Sequence, residues 1–200
     1  MVMVRGDDDG DIYYSPGVFV SKRIVVTNRE ISYGTATVAV GGQIIPAVWI
    51  SGNGKVAVLK ICYKFPGPFE TLMSNHFDFT TNVTGTVAFY YPNGTLFGHT
   101  ATVLANANCP QEYTDTGLDS SFFDTDGSSA CTQLDAAGDC SYANLPEYID
   151  TALVINGVVE GFVSDVRCHP TTGLYEQPSG FKLIPFNKDY ILTFAPDAIP

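Results

Sequence analysis

The chain has 200 residues, 45% of them hydrophobic and 16% charged, which suits one sizeable domain with a buried core and excludes disorder. Its formal net charge of −11 argues against nucleic acid and anionic membrane as partners, because phosphate recognition needs a basic face. With 19 glycines, 12 prolines and few helix-period stretches, the composition points to an all-β protein.

At the N-terminus, Met1-Val2-Met3-Val4 is too short for a secretory signal, so the chain is either cytoplasmic or has had its signal removed. Asp7-Asp8-Asp9-Gly10-Asp11 reads as a solvated acidic run, not a metal loop, since no glutamate completes a calcium-binding spacing. Gly17–Val20 and Arg23–Thr27 are β-rich and are separated by Ser21-Lys22. Thr35–Val40 alternates Thr-Ala-Thr-Val-Ala-Val, and Gly41-Gly42 closes it with a turn. Gln43–Ile50 and Lys55–Tyr63 are two further strands split by Ser51-Gly52-Asn53-Gly54. Pro66-Gly67-Pro68 opens a non-strand crossing that runs to about Asn82.

Val83–Tyr91 and Leu96–Ala105 flank Pro92-Asn93-Gly94-Thr95, a hairpin signal. From Asn106 to Leu145 the periodicity gives way to Asp, Ser, Thr and Gly around three cysteines, a length of loop that needs pinning. Strands resume at Thr151–Ile155, Val158–Ser164 and Phe181–Ile184. The tail Asn187–Phe194 is the expected helix, with Asn187 as cap and Tyr190, Ile191 and Phe194 at helical spacing. These elements divide into a first half over residues 12–65, a crossing over 66–82, a second half over 83–186 and a terminal helix over 187–195.

Among chemistry-bearing residues, His76, His99 and His169 have no partner at ligand spacing, so they read as surface or satisfied-core residues; no metal and no cofactor is expected. Trp49, Phe89, Tyr90 and Tyr91 read as barrel core and surface, not a sugar or base platform. Of five cysteines, Cys109, Cys131, Cys140 and Cys168 cluster in the second half and fit two disulfides, leaving Cys62 as a buried free thiol in an apolar strand. Asn82-Val83-Thr84 and Asn93-Gly94-Thr95 are glycosylation sequons at Asn82 and Asn93. Cysteines and sequons together favour a secreted protein. No apolar run approaches the length that crosses a bilayer.

Three blocks, in order, resemble the trypsin-like serine proteases. Gly17–Thr27 is similar to that family's GGVLISPRHVLTAAHC up to the threonine. Ala47–Ile50 followed by Val56–Ile61 is similar to its HP…DIALLKL block. Thr151–Ser164 is similar to the segment after GDSGG, and Gly173-Leu174-Tyr175 with Phe186–Ile191 resembles its PGVY and C-terminal helix. The resemblance implies two packed antiparallel β-barrels with a short C-terminal helix.

It also implies lost chemistry. The general-base position falls at Glu30, whose ordinary basicity suits poorly the activation of a hydroxyl. The orienting aspartate falls at Lys55, expected to pair with Glu30 at the junction of the two halves, and the nucleophile falls at Ile149. A hydrocarbon side chain cannot attack a carbonyl. The oxyanion-hole glycine falls at Glu147, the buried aspartate after it at Tyr148, and no Ile-Val-Gly-Gly start is present. The family's bridges imply the pairs Cys109–Cys131 and Cys140–Cys168. An insertion over Ser141–Tyr148 is expected across the old cleft, made acidic by Glu147 and Asp150.

The expected function is therefore a non-catalytic homologue acting as a binding, decoy or regulatory protein, with a protein as its partner. Two alternatives stand beside it. Gly138-Asp139-Cys140-Ser141 resembles the GDCG motif of viral chymotrypsin-like cysteine proteases, with Cys140 as nucleophile, and a structural secreted β-protein is the third reading.

Overall fold

The computed structural model describes residues 1–28, 34–70, 72, 80–105, 108–109, 128–134, 148–168 and 175–198. The first barrel uses β1 (Val2–Asp8), β2 (Asp11–Phe19), β3 (Ile24–Thr27), β4 (Thr35–Val40), β5 (Gln43–Gly52) and β6 (Ala57–Ile61). Their order is β1-β4-β5-β6-β3-β2, and antiparallel pairing of β1 with β2 closes the ring. The second barrel uses β7 (Val83–Tyr90), β8 (Leu96–Val103), β9 (Ser129–Leu134), β11 (Ala152–Ile155), β12 (Val158–Cys168) and β13 (Tyr175–Leu183), closed in the order β11-β12-β13-β9-β8-β7. Closure into six-strand antiparallel rings pairs most of the ladder edges that open sheets would expose. A 3-10 turn over Pro185–Asn187 leads into the helix α1 (Lys188–Phe194).

The period-2 alternation of the strands explains why a core forms between the barrels as well as inside each. In β3, Val25 points into the first barrel with Phe19, Val38, Leu59 and Ile61, while Ile24 and Val26 point the other way. That outer face meets Val18, Val56 and Val58 of the same barrel and Ala152, Phe162 and Ile184 of the second, with Ile191 of α1 sealing the layer. The second barrel's own interior holds Val87, Val103, Leu153, Ile155, Phe181 and Leu183. Phe162 and Phe181 are fully buried, each stabilising by roughly 3 kcal/mol of apolar transfer, so the layer between the barrels matches either interior per side chain.

Turn chemistry sets the registers. Gly41 and Gly42 take φ of 56° and 77° between Val40 and its partner Gln43, the doubly left-handed geometry of a two-residue hairpin. Asn156 and Gly157 do the same at 51° and 82° between Ile155 and Val158. Both turns stand where the sequence places them.

Several elements differ from the sequence expectation. Val2–Asp8 pairs along its length with β2, and the acidic run forms the tip of that hairpin, with Gly10 N–H donating to Asp7 Oδ1 at 3.2 Å. β9 arises inside the stretch read as loop, and a two-residue strand β10 (Tyr148–Ile149) was not foreseen. Asn187 precedes α1 but does not cap it: its Nδ2 donates to Leu183 O at 2.8 Å and its Oδ1 accepts from Asn53 Nδ2 at 3.0 Å. Cys62 is a free thiol that is exposed, not buried, because it follows core-facing Ile61 and alternation turns it outward.

Candidate functional site

The strand carrying Ile149 docks in parallel on the outer side of β2, with Tyr148 opposite Tyr13 and Ile149 opposite Tyr14. Asp150 N–H extends the ladder by donating to Tyr14 O at 2.8 Å. The next side chain turns inward: Ser15 Oγ–H donates to Asp150 Oδ2, and both residues are buried. Ile149 itself is half-buried in extended backbone. A segment hydrogen-bonded as sheet is held in one direction, and here it presents an aliphatic side chain.

Lys55 stands in the turn between β5 and β6. Asn53 Oδ1 accepts from both Lys55 N–H and Val56 N–H at 3.0 Å, and Asn53 N–H donates to Val56 O at 3.2 Å, so one asparagine builds the turn. The turn is tied to the helix region by the Asn53–Asn187 bond and by Tyr190 O–H donating to Ser51 Oγ at 2.7 Å. Half-buried Lys55 therefore lies on a fixed scaffold where the two halves join, directly before Val56 of the inter-barrel core. β3, which leads toward the expected base position, is fixed at its end by Thr27 Oγ1 donating to Pro16 O at 2.8 Å. Glu30 lies outside the described residues, and so does its expected pairing with Lys55. Glu147, Cys140, His76 and His169 lie outside them as well.

Sequence reasoning missed the Ser15–Asp150 pair. Asp150 was expected to make the crossing segment acidic; instead it is turned inward and buried, because a hydroxyl from β2 meets it. No local motif announces Ser15, since the contact spans 135 positions. The pair presents no accessible nucleophile: Ser15 is only 2% exposed and its hydroxyl donates a hydrogen bond to a carboxylate.

Cys109 and Cys131 form a disulfide, both fully buried, with Leu104 packed on them and Leu104 N–H donating to Cys131 O at 3.0 Å. The bridge joins the segment after β8 to β9. Cys140–Cys168 falls outside the described side chains. Asn82 and Asn93 are both exposed, and their carbonyl oxygens accept from Ala105 N–H at 2.8 Å and Thr95 N–H at 2.9 Å, leaving the amide nitrogen of each clear of those bonds. Of the aromatics, Phe89 is fully buried and Trp49 half-buried against the first barrel's core. Tyr90 O–H donates to Met1 O at 3.2 Å, and burial pushes its phenol above the ordinary value. His99 sits in a ring cluster with Phe89 and Phe97, at centroid distances of 6.2 and 5.1 Å. Among the described residues no group of three or more metal-ligating side chains forms, and no helix is long and apolar enough to cross a membrane.

No protein-family model matches the sequence, and a search of curated proteins finds no match. Solved structures do share the architecture. Kallikrein-related peptidase 10 superposes with a TM-score of 0.69 at 14% identity, over 98% of this chain and 95% of that one. HL collagenase gives 0.68 at 15% identity, over 97% and 93%. The Rv3671c protease from M. tuberculosis, in its active form, gives 0.60 at 16% identity, over 96% and 78%. The chain thus has the two-barrel fold of trypsin-like serine proteases, and at these identities the likeness carries the fold alone.

Proposed function

We propose that this protein uses a serine-protease scaffold without protease chemistry, and that it acts by binding another protein as a decoy, cofactor or regulator. The observation that carries the reading is β10. By the sequence resemblance the nucleophile position falls at Ile149, whose backbone is paired into β2, with Asp150 N–H donating to Tyr14 O at 2.8 Å. Activation of a nucleophile needs a hydroxyl or thiol beside a base, and a branched hydrocarbon supplies neither. Lys55 supports the same reading, since a cation cannot stabilise an imidazolium in the orienter's place.

The remaining parts of the proposal follow from chemistry at the surface. A net charge of −11 disfavours nucleic acid and anionic membrane, which leaves protein as the macromolecular partner class. The Cys109–Cys131 bridge favours an oxidising compartment, so we place the protein outside the cell, with Asn82 and Asn93 as glycan sites. Incubation of the oxidised protein with broad fluorogenic peptide libraries tests the reading. The expected outcome is no turnover above buffer. Hydrolysis that survives repurification and disappears in Cys140→Ala would replace this proposal with a cysteine protease.

A further inference from the structure

A cleft of about 650 Å³ opens between the first barrel and the end of α1, and Lys22, Arg23, Lys60 and Lys64 all line it. We propose that this cleft binds a small organic anion carrying two or more phosphate or sulfate charges, with its apolar body against Ile24, Ile50 and Phe194. Four of the ten lysines and arginines of a chain with net charge −11 converge here. Like charges brought together repel, so such a gathering within an acidic molecule calls for a counter-charge.

The backbone beneath the cations is fixed. Val20 N–H donates to Ile24 O at 3.1 Å, closing the hairpin that carries Lys22 and Arg23. Ile61 N–H donates to Arg23 O at 2.9 Å and Phe65 N–H to Lys22 O at 2.7 Å, which ties the hairpin to the segment bearing Lys64. Lys60 stands directly opposite Ile24 in the β3–β6 ladder. The four side chains are exposed, and among the described residues none has an ion-pair partner. They are therefore available for charge-assisted hydrogen bonds to phosphate or sulfate oxygens.

The lining decides the size and character of the ligand. The volume is that of a small-molecule site, and Ile24, Ile50 and Phe194 add an apolar surface beside the charges. A long polyanion would extend beyond the cleft along a chain of net charge −11, which disfavours it. Asp197 also lines the cleft and opposes any anion, so it sets a limit on affinity.

Calorimetric titration at low ionic strength tests the proposal, with ATP, tripolyphosphate, sucrose octasulfate and adenosine as probes. The expected result is one site per chain for ATP and tripolyphosphate, ATP the tighter, and nothing with adenosine. Comparison with sucrose octasulfate separates a phosphate site from a sulfate site. The double variant Lys60→Glu/Lys64→Glu should weaken binding by at least about tenfold, and Asp197→Asn should strengthen it. Lys22→Ala, at an exposed hairpin position, gives an independent reading should the double variant lose its fold. The proposal is overturned if none of the anionic probes binds, if the folded variants bind as tightly as the parent, or if adenosine binds as tightly as ATP.

Discussion

At the Thr27–Ala57 end of the β3–β6 pairing the chain leads into Lys55 and toward the expected base position, whereas at the Ile24–Lys60 end it gathers Lys22, Arg23 and Lys64 around a cleft. The two ends are three residues apart, roughly 10 Å at strand rise. Between them Val25, Val26, Val58 and Leu59 are wholly buried and serve two cores at once. The contrast teaches that the ribbon's packing constrains neither end: hydrocarbon alternation holds the barrels together, and polar chemistry at the tips is free to differ.

That separation implies an ordering of effects. Phe162→Ala, in the layer between the barrels, should cost about 3–5 kcal/mol by removing a fully buried ring. Urea unfolding checks it, and a cost below about 1 kcal/mol would mean that the barrels do not depend on this layer. Reduction of Cys109–Cys131, which closes a 22-residue separation, should lower stability by roughly 2–4 kcal/mol and shift Tm clearly downward. Differential scanning calorimetry with and without reductant, with Cys109→Ala/Cys131→Ala beside it, isolates this bridge. Ser15→Ala should cost about 1–3 kcal/mol by removing a donor from buried Asp150. A neutral outcome there would mean that β10 docks on β2 through backbone pairing alone.

How much of this was legible beforehand follows the same division. β4, the Gly41-Gly42 and Asn156-Gly157 turns and the helical tail were readable, because alternation, turn residues and helical spacing are local signals. The two-barrel architecture came from the resemblance of three blocks rather than from periodicity. β1 was missed because its acidic second half masks a strand that starts at Val2. β9 was missed because Ser129-Ala130-Cys131-Thr132 lacks large β-branched residues, and its pairing with β8 and β13 is set by tertiary contacts. Asn187 looked like a cap, yet its amide is captured by Leu183 O and Asn53, partners that only the folded chain brings near. The Ser15–Asp150 contact and the basic cleft are assembled from distant segments, so no window of sequence could display them.

The central claim is that the scaffold persists without a nucleophile at position 149, and stoichiometric labelling with a serine-directed fluorophosphonate, read by intact mass, tests it most directly. The account expects the unmodified mass after prolonged incubation, for the parent chain and equally for Ile149→Ser, since β10 would still be held as sheet on β2. A single phosphonyl adduct on a serine of the parent chain would contradict it.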